Sequence, residues 1–548
     1  STKFISESAP RGLIYDSEGN VLATSEQTYV LTYMQTTESA NAIFSTLNKV
    51  FKVLSENGEN FEDNLLLKVN SDGQFYFAFK SDDSDVKEAT ELLFKSDRGL
   101  KDEVIEELYK DHDGDFTDEQ LANINAKLLE ITPEDTFYYL VELYGMYKML
   151  LPEDYTKEEY DAIVAKYKDV DGKTITKDLL EKYSLEDIRK YMVVKDAINI
   201  QSYQGYKSVT IANDITKDTA FIFYQMLNEL PGIDVDLEPV RYYPYGSLAS
   251  SILGYVSSIT STEEEIYELK GYDVSTDLVG AAGIEAAFEE QLKGKDGGTT
   301  VKVNSEGRTT EELFKLESYA GNNIQLTIDK DVQYAAEQAL KDTLARVDAT
   351  VTNKDYGNGR SNATRGSVVA IEVGTGRVLA MASYPTYDPN DFATGQLSDE
   401  LYAQYFSPDY EAFAAQHIAK TGATSTIDEL FPLNEDGTRE DTYDLYPKAM
   451  FNYSTQALLP PGSVFKPLTA IAGLMEGVIT TSSTVNDTGV WQVGNLTQYN
   501  FQKTGNGIIS VREALMHSSN FFFHNVGYEL YLKNGGNSSD EETRVAAL

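Results

Sequence analysis

A multidomain chain of the mixed α+β class is what this sequence predicts, and three observations predict it. Its 548 residues exceed what one hydrophobic core serves, so two or three domains are expected. Residues 99–200 carry apolar side chains at helical spacing almost throughout. Beyond residue 324, apolar strand-like runs alternate with amphipathic helix patterns.

Taken in order, "APRGLIYDSEGNVLA" (9–23) reads as two short strands around the turn "DSEGN". Residues 41–55 read as a helix, with Ile43, Leu47, Val50 and Phe51 at helical spacing. Within 99–200, Leu121, Ile124, Leu128 and Leu129 share one helix face. Near 208 the texture changes. "SVTIAND" and "VDLEPVRYYPYG" read as strands, with "KDTAFIFYQMLNEL" a helix between them. Residues 293–323, rich in Gly and Thr, are expected to be a hinge or boundary. "NIQLTI" is then a strand, and an amphipathic helix follows with Asp329 as its N-cap. "RGSVVAIEV" and "GRVLAMASY" are strands joined by a hairpin at Gly374-Thr375-Gly376.

Composition excludes several functions. Acidic residues number 88 against 46 basic ones, a net charge of −42, so the chain repels phosphate backbones and no nucleic-acid partner is expected. With no cysteine there is no disulfide, thiolate nucleophile or Cys-ligated metal. Asp111, Asp113 and Asp115 have calcium-loop spacing, but Phe116 stands where the loop needs Gly, and Ala122 where it needs Glu. "DVDG" at 169–172 fails similarly at Lys173; both read as acidic turns before helix caps. No cofactor or metal is expected. No run approaches ~18 consecutive apolar residues, so nothing in the sequence reads as a membrane span. The chain starts at Ser1 without an initiator Met, as expected of a processed or trimmed protein.

Chemistry is concentrated near the end of the sequence. In "LPPGSVFKPLTA" (459–470), Pro467 is tolerated only in or beside a first helical turn, so a helix should begin close to Ser463. Ser463 and Lys466 then share a helix face, where hydroxyl and amine meet. A lysine near a serine acts as general base without histidine, provided it gives up ~3 units from a free pKa of ~10.4, about 4 kcal/mol. The same spacing also fits a plain helix start with an exposed lysine. In "VREALMHSSNFFFHNVG" (511–527), Ala514, Leu515, Phe521, Phe522 and Val526 suggest buried helix faces, with Ser518, Ser519 and Asn520 between them. These polar residues fit either partners for Lys466 and a substrate amide or a linker between packed helices. His517, adjacent to Ser518, cannot form a triad with it on a helix.

Taken together, these stretches resemble a class B penicillin-binding protein, a peptidoglycan D,D-transpeptidase. The resemblance runs in order through "PRGLIYDSEGNVLA", "RYYPYGSLASSILGYV" (241–256), "GAAGIEAAFEEQLKGKDG" (280–297), "GNNIQLTIDKDVQYAAEQAL" and "RGSVVAIEVGTGRVLAMASYPTYDPN". It ends on the Ser-x-x-Lys and Ser-x-Asn motifs. It implies an elongated N-terminal pedestal over residues 1–325, carrying a largely helical insertion at about 41–205. An incomplete transpeptidase domain over 326–548 follows, an antiparallel sheet flanked by helices. By the family pattern Ser463 is the acylated nucleophile, Lys466 activates it, and Ser518 and Asn520 support proton transfer and substrate binding.

The family's third motif, Lys-Ser/Thr-Gly, follows Ser-x-Asn on a strand. Both triplets here, Lys420-Thr421-Gly422 and Lys503-Thr504-Gly505, precede Ser518, so both read as coincidence and the true motif is expected beyond Leu548. Without it the fragment is expected to be an incomplete enzyme. The long insertion, "YSLEDIRKYM" and "VTIANDITKDTA" look elongation-like rather than division-like. The resemblance implies a cell-membrane protein with its catalytic domain on the extracellular, cell-wall side, held by a lost N-terminal anchor. Its implied partners are peptidoglycan stem peptides, β-lactams, a lipid II glycosyltransferase and elongation-complex proteins. Two other readings remain open: a non-catalytic scaffold or β-lactam sensor, and a D,D-carboxypeptidase or β-lactamase.

Overall fold

The computed structural model describes residues 2–79, 83–110, 112–202, 208–303, 309–350, 363–434 and 437–546. Contacts divide the chain into two compact units, Ser1–Gln456 and Ala457–Leu548.

The spine of the first unit is the strand Val21–Tyr33. Only a short strand is expected after the turn, but "TSEQTYVLTY" continues the β-branched and aromatic pattern. It pairs antiparallel with Ile233–Tyr242 from Thr24 to Tyr33. Its other edge takes Ile14–Tyr15 and then Val209–Ile215, and Ile14–Tyr15 pairs in parallel with Ile324–Gln325. The strand expected over "NIQLTI" is therefore only two residues long. Tyr33 pairs with Val209, so the chain leaves the sheet and re-enters it at adjoining ladder positions.

Between those positions lies the expected helical region, from Thr37–Glu56 to Leu185–Ser202, with the small hairpin Leu67–Val69/Phe75–Phe77 inside it. Thr36 caps the first helix, accepting from Ser39 N at 3.1 Å. Leu47, Phe137, Leu140 and Met192 pack against Leu31 and Tyr33 of the sheet in one core. Of the face expected around residue 124, Ile124 and Leu128 are fully buried, while Leu121 and Leu129 lie at its half-buried margins. Asp111 lies outside the described residues. Thr117 caps the helix Asp118–Glu130, and Asp171 caps Gly172–Leu179 by accepting from Thr174 N at 2.9 Å.

The opening motif is locked by charge. Glu285, fully buried, accepts from Arg11 Nε at 2.5 Å and from Arg241 Nε at 2.6 Å. Arg11 also reaches Glu289 at 2.5 Å. Gly12 passes so close to Asn322 that a Cβ there would lie 1.9 Å from its carbonyl oxygen.

Within 293–323, expected to be a hinge or boundary, the described residues form strands. Gly297–Val303 pairs with Thr2–Glu7 on one side and Thr309–Leu316 on the other, a three-stranded antiparallel sheet. The Thr-rich composition supplies β-formers. Gly298 leaves room for the Phe4 ring, which a Cβ would meet at 2.4 Å. The helix Lys330–Thr350 and the hairpin Gly366–Ile371/Val378–Tyr384 form as expected. Asp329 accepts from Asp331 N and Val332 N at 2.9 and 3.1 Å, and Gly374 and Gly376 take positive φ in the turn.

The second unit is built from the helices Lys466–Met475, Val511–Met516 and Asn520–Lys533, with two antiparallel strand pairs. The pairs are Thr484–Asp487/Gly507–Ser510 and Val490–Val493/Leu496–Tyr499. Its core gathers Ala470, Ile479, Ile509, Ala514, Phe522 and Val526. Leu515, expected inside, is 39% exposed because Ala514 takes the core-facing position next to it. Among the described residues, no helix is long and apolar enough to cross a membrane.

Candidate active site

Local sequence sets up each functional side chain in the second unit. Gly462, at φ +55°, turns the chain into a 3-10 turn, Gly462–Phe465, that runs straight into the helix at Lys466. Pro467 sits in the first turn of that helix, where its missing N–H has no helical partner to lose. Ser463 is exposed and Lys466 half-buried.

Helix Lys466–Met475 packs on Asn520–Lys533 through Gly473, whose added Cβ would stand 2.7 Å from Val526 Cγ1. That close approach brings Lys466 to the residues around 518. Ser518 takes φ +51°, the left-handed region that a non-glycine residue enters at a cost. The kink separates Val511–Met516 from Asn520–Lys533.

The four sequence-predicted residues converge. Lys466 Nζ lies 3.2 Å from Ser463 Oγ, 3.0 Å from Ser518 Oγ, 2.7 Å from Ser518 O and 2.7 Å from Asn520 Oδ1. Ser518 Oγ lies 3.1 Å from Ser463 Oγ. Asn520 is oriented by its Nδ2, which donates to Tyr499 O at 2.8 Å, so its oxygen faces the lysine.

This geometry bears on protonation. Burial holds the Lys466 amine below its ordinary pKa, and among the described residues no carboxylate opposes that shift. A neutral amine has two N–H donors and one lone pair. Ser518 O and Asn520 Oδ1 can only accept, so they take the two donors. The lone pair is left for a hydroxyl proton, from Ser463 directly or through Ser518.

Sequence reading missed the support beneath these residues. Asp487, 1% exposed, accepts from Asn500 Nδ2 at 2.9 Å, Asn506 Nδ2 at 2.6 Å, Gly489 N at 2.8 Å and Ser519 Oγ at 2.7 Å. Burial alone would raise the Asp487 pKa, but these hydrogen bonds hold it below the ordinary carboxylate range. Ser519 Oγ also accepts from Phe522 N at 3.1 Å, capping the helix that carries Asn520. Asn500 Oδ1 accepts from Phe521 N at 3.0 Å. Nothing local in "TVNDTG" marks Asp487, because its partners are assembled by tertiary pairing.

Neither Lys-Thr-Gly triplet lies on a strand. Lys420-Thr421 ends the helix Tyr410–Thr421, Gly422 caps it at φ +69°, and Lys420 pairs with Asp348 at 2.5 Å. Lys503, at φ +56°, lies in a turn with its ammonium 5.6 Å from the Tyr499 ring centre. Thr504 O there accepts from Asn500 Nδ2 at 3.0 Å. His517 ends the helix Val511–Met516 and takes no part in the cluster. Among the described residues, no group of three or more His, Asp or Glu is placed to hold a metal.

Two family models match the chain. The model of the penicillin-binding protein dimerisation domain matches residues 6–326, and that of the penicillin-binding protein transpeptidase domain matches residues 366–535. The peptidoglycan D,D-transpeptidase MrdA of Escherichia coli K12 is 30% identical over 331 residues, 59% of this chain and 43% of that protein. MrdA of Salmonella typhimurium LT2 is 28% identical over 376 residues, 67% of this chain and 50% of that protein. The chain thus spans about half the length of the curated relatives it matches, or less. A solved complex between penicillin-binding protein PBP2 and MreC from Helicobacter pylori aligns with 97% of this chain and 63% of that one, at TM-score 0.49 and 18% identity. With its first 320 or so residues matching one family model and most of the remainder the other, the chain belongs to the penicillin-binding proteins that join a dimerisation domain to a transpeptidase domain.

Proposed function

We propose that the protein is a peptidoglycan-cross-linking D,D-transpeptidase acting through an acyl-enzyme on Ser463. One observation carries this reading: a half-buried lysine, with no carboxylate partner among the described residues, contacts the Oγ atoms of both Ser463 and Ser518. Ser463 Oγ attacks the carbonyl carbon between the two D-Ala residues of a stem peptide, and its proton passes to Lys466. Collapse of the tetrahedral adduct breaks the C–N bond. The leaving amine takes a proton from Lys466, directly or by way of Ser518, and the terminal D-Ala departs. An amine of a neighbouring stem then attacks the ester and frees Ser463. Asn520, fixed between Lys466 and Tyr499 O, orients the lysine and stands at the edge of the substrate site. A β-lactam enters by the same first step and stops at the acyl stage.

The family resemblance supports placing the catalytic domain on the extracellular side of the cell membrane, on a pedestal of residues 1–325 held by an N-terminal anchor. It also supports an elongation-type role beside a lipid II glycosyltransferase and elongation-complex proteins. The insertion between Tyr33 and Val209 supports that subtype. A scaffold or sensor would need neither the lysine's contacts nor the buried support beneath Ser519.

The test is intact mass after incubation with benzylpenicillin, on the natural full-length protein and on its Ser463→Ala variant. A stable adduct present in the first and absent in the second is expected. No adduct on a folded protein sinks the enzyme reading. Release of D-Ala to water with no cross-linked product would favour the carboxypeptidase.

A further inference from the structure

A cavity of about 250 Å³ opens in the helical region between Tyr33 and Val209. Its walls come from the helix Thr37–Glu56, the segment from Lys148 to Tyr160, and the helix Leu185–Ser202. At ~30 Å³ per water it has the volume of about eight waters, room for a small organic molecule.

The charges on its lining are opposite to those of the chain. In a protein with 88 acidic and 46 basic residues, this cavity is lined by two lysines, Lys148 and Lys195. No described carboxylate pairs with either. Among the described residues the lining has one acidic side chain, Glu153, half-exposed and bound to Lys49 at 2.8 Å. Lys148 Nζ lies 5.3 Å from the Tyr160 ring centre and Lys195 Nζ 6.0 Å from that of Phe44. Such ring contacts hold an ammonium group without neutralising it. Burial, and then the charge of Lys148, lower the Lys195 pKa, so the two cations disfavour one another as they stand.

The aromatic walls are fixed in place. Tyr155 OH donates to Asn41 O at 2.6 Å, and Tyr183 OH to Met149 O at 2.9 Å. Tyr191 packs edge-on against Phe51 at 5.2 Å. With their hydroxyls engaged, Tyr155 and Tyr183 line the cavity as aromatic walls, Tyr155 stacked on Tyr160 at 5.9 Å. Two lysines lining one cavity, near enough for the charge of one to act on the other, stand beside the rings and the amides of Asn41 and Asn48, a recognition surface for an oxyanion on a ring-bearing body.

We propose that this cavity is a binding site for a small ring-bearing oxyanion, a carboxylate or a phosphate, held by Lys148 and Lys195 against the tyrosine walls. The site lies in the first unit, among residues the proposed acyl transfer does not use.

Isothermal titration of the full chain with phenyl phosphate and, separately, benzoate tests it, with benzylamine as the cationic control. One-to-one saturable binding of at least one anion is expected, and the stronger of the two identifies the headgroup. Lys148→Met and Lys195→Met should each weaken it about tenfold or more, while Lys195→Arg retains most of it. Should the Met variants misfold, acetylation of Lys195 in the unsubstituted protein gives a second reading, slowed by the bound anion. The proposal is overturned by absence of saturable binding by both anions. It is equally overturned by binding that both Met variants leave intact, by benzylamine binding as tightly as the anions, or by unchanged Lys195 acetylation.

Discussion

Ser519 Oγ donates a 2.7 Å hydrogen bond to Asp487 Oδ2 across 32 residues of chain. Through it a fully buried carboxylate fixes the residue lying between Ser518 and Asn520. Asp487→Asn would set an amide NH₂ against the donors of Asn500 and Asn506. A loss of about 2–3 kcal/mol in urea unfolding is expected. Acylation by benzylpenicillin should slow more than tenfold under conditions where the variant remains folded. The pH dependence has a definite sign. The folded pKa of Asp487 lies below its unfolded value. Its contribution is therefore complete above the unfolded pKa of ~3.9 and fades as pH falls through the folded value. Unfolding midpoints measured on acidification should fall less steeply in Asp487→Asn than in the parent.

Asn520→Asp keeps the shape and adds a negative charge 2.7 Å from the lysine amine. An opposite charge at that distance raises the Lys466 pKa by ~1–3 units, so less neutral amine is present at pH 7. Acylation at pH 7 should fall about tenfold to a thousandfold and recover as pH rises. A loss that does not recover with pH would show that Asn520 acts otherwise than through the lysine.

Lys466→Gln removes the proton acceptor while keeping hydrogen-bond donors. Acylation is expected to drop ~10²–10⁴-fold, with the β-lactam complex still forming reversibly. In the parent, the rate should rise with pH towards a limit set by a lysine pKa below its ordinary value. Rapid-mixing measurements across pH check both.

Glu285→Gln leaves the guanidinium groups of Arg11 and Arg241 without their shared buried countercharge. A destabilisation of about 3–5 kcal/mol is expected, read as a lower midpoint in thermal unfolding. Glu285→Asp, which keeps the charge, should recover part of it.

Glu62 gives the opposite pH sign. Burial raises its pKa to about 7, against hydrogen bonds from Asn64 and Asn213 that lower it. Its folded pKa exceeds its unfolded one, so the protein is favoured below the unfolded value and loses stability as pH rises through about 7. Between pH 5 and 8 the parent should lose ~1–3 kcal/mol that Glu62→Gln does not. Paired urea titrations at the two pH values measure the difference.

Periodicity was enough to place the helices from 99 to 200 and the hairpin at Gly374–Gly376, because a helix face and a glycine turn are written within a few residues. It was not enough for Val21–Tyr33, whose length is set by the partner strand Ile233–Tyr242, two hundred residues away. Local composition also hid the strands Gly297–Val303 and Thr309–Leu316 inside the stretch read as a hinge or boundary, for the same reason. Pairing of Gly297–Val303 with Thr2–Glu7 supplies the order that local composition does not. At the site, Ser463, Lys466, Ser518 and Asn520 could be named from motif spacing and chain order. Asp487, Asn500 and Tyr499 could not, since each matters only through a hydrogen bond that the folded backbone creates.

Tyr33 and Val209 face one another across a single ladder step. Everything between them leaves and returns through one doorway in the sheet. Lengthening or shortening such an excursion costs little, about 0.6 kcal/mol for each doubling of a flexible loop. Changes of length in its outer loops therefore leave the register of Tyr33 and Val209 alone, whereas Leu47, Phe137, Leu140 and Met192 are tied to the sheet through the core they share with Leu31 and Tyr33. The lysine-lined cavity stands wholly within this excursion. Ile43, Met149 and Tyr191 join it to the core on one side, while Lys148 and Lys195, outside that core, are free to change with the ligand.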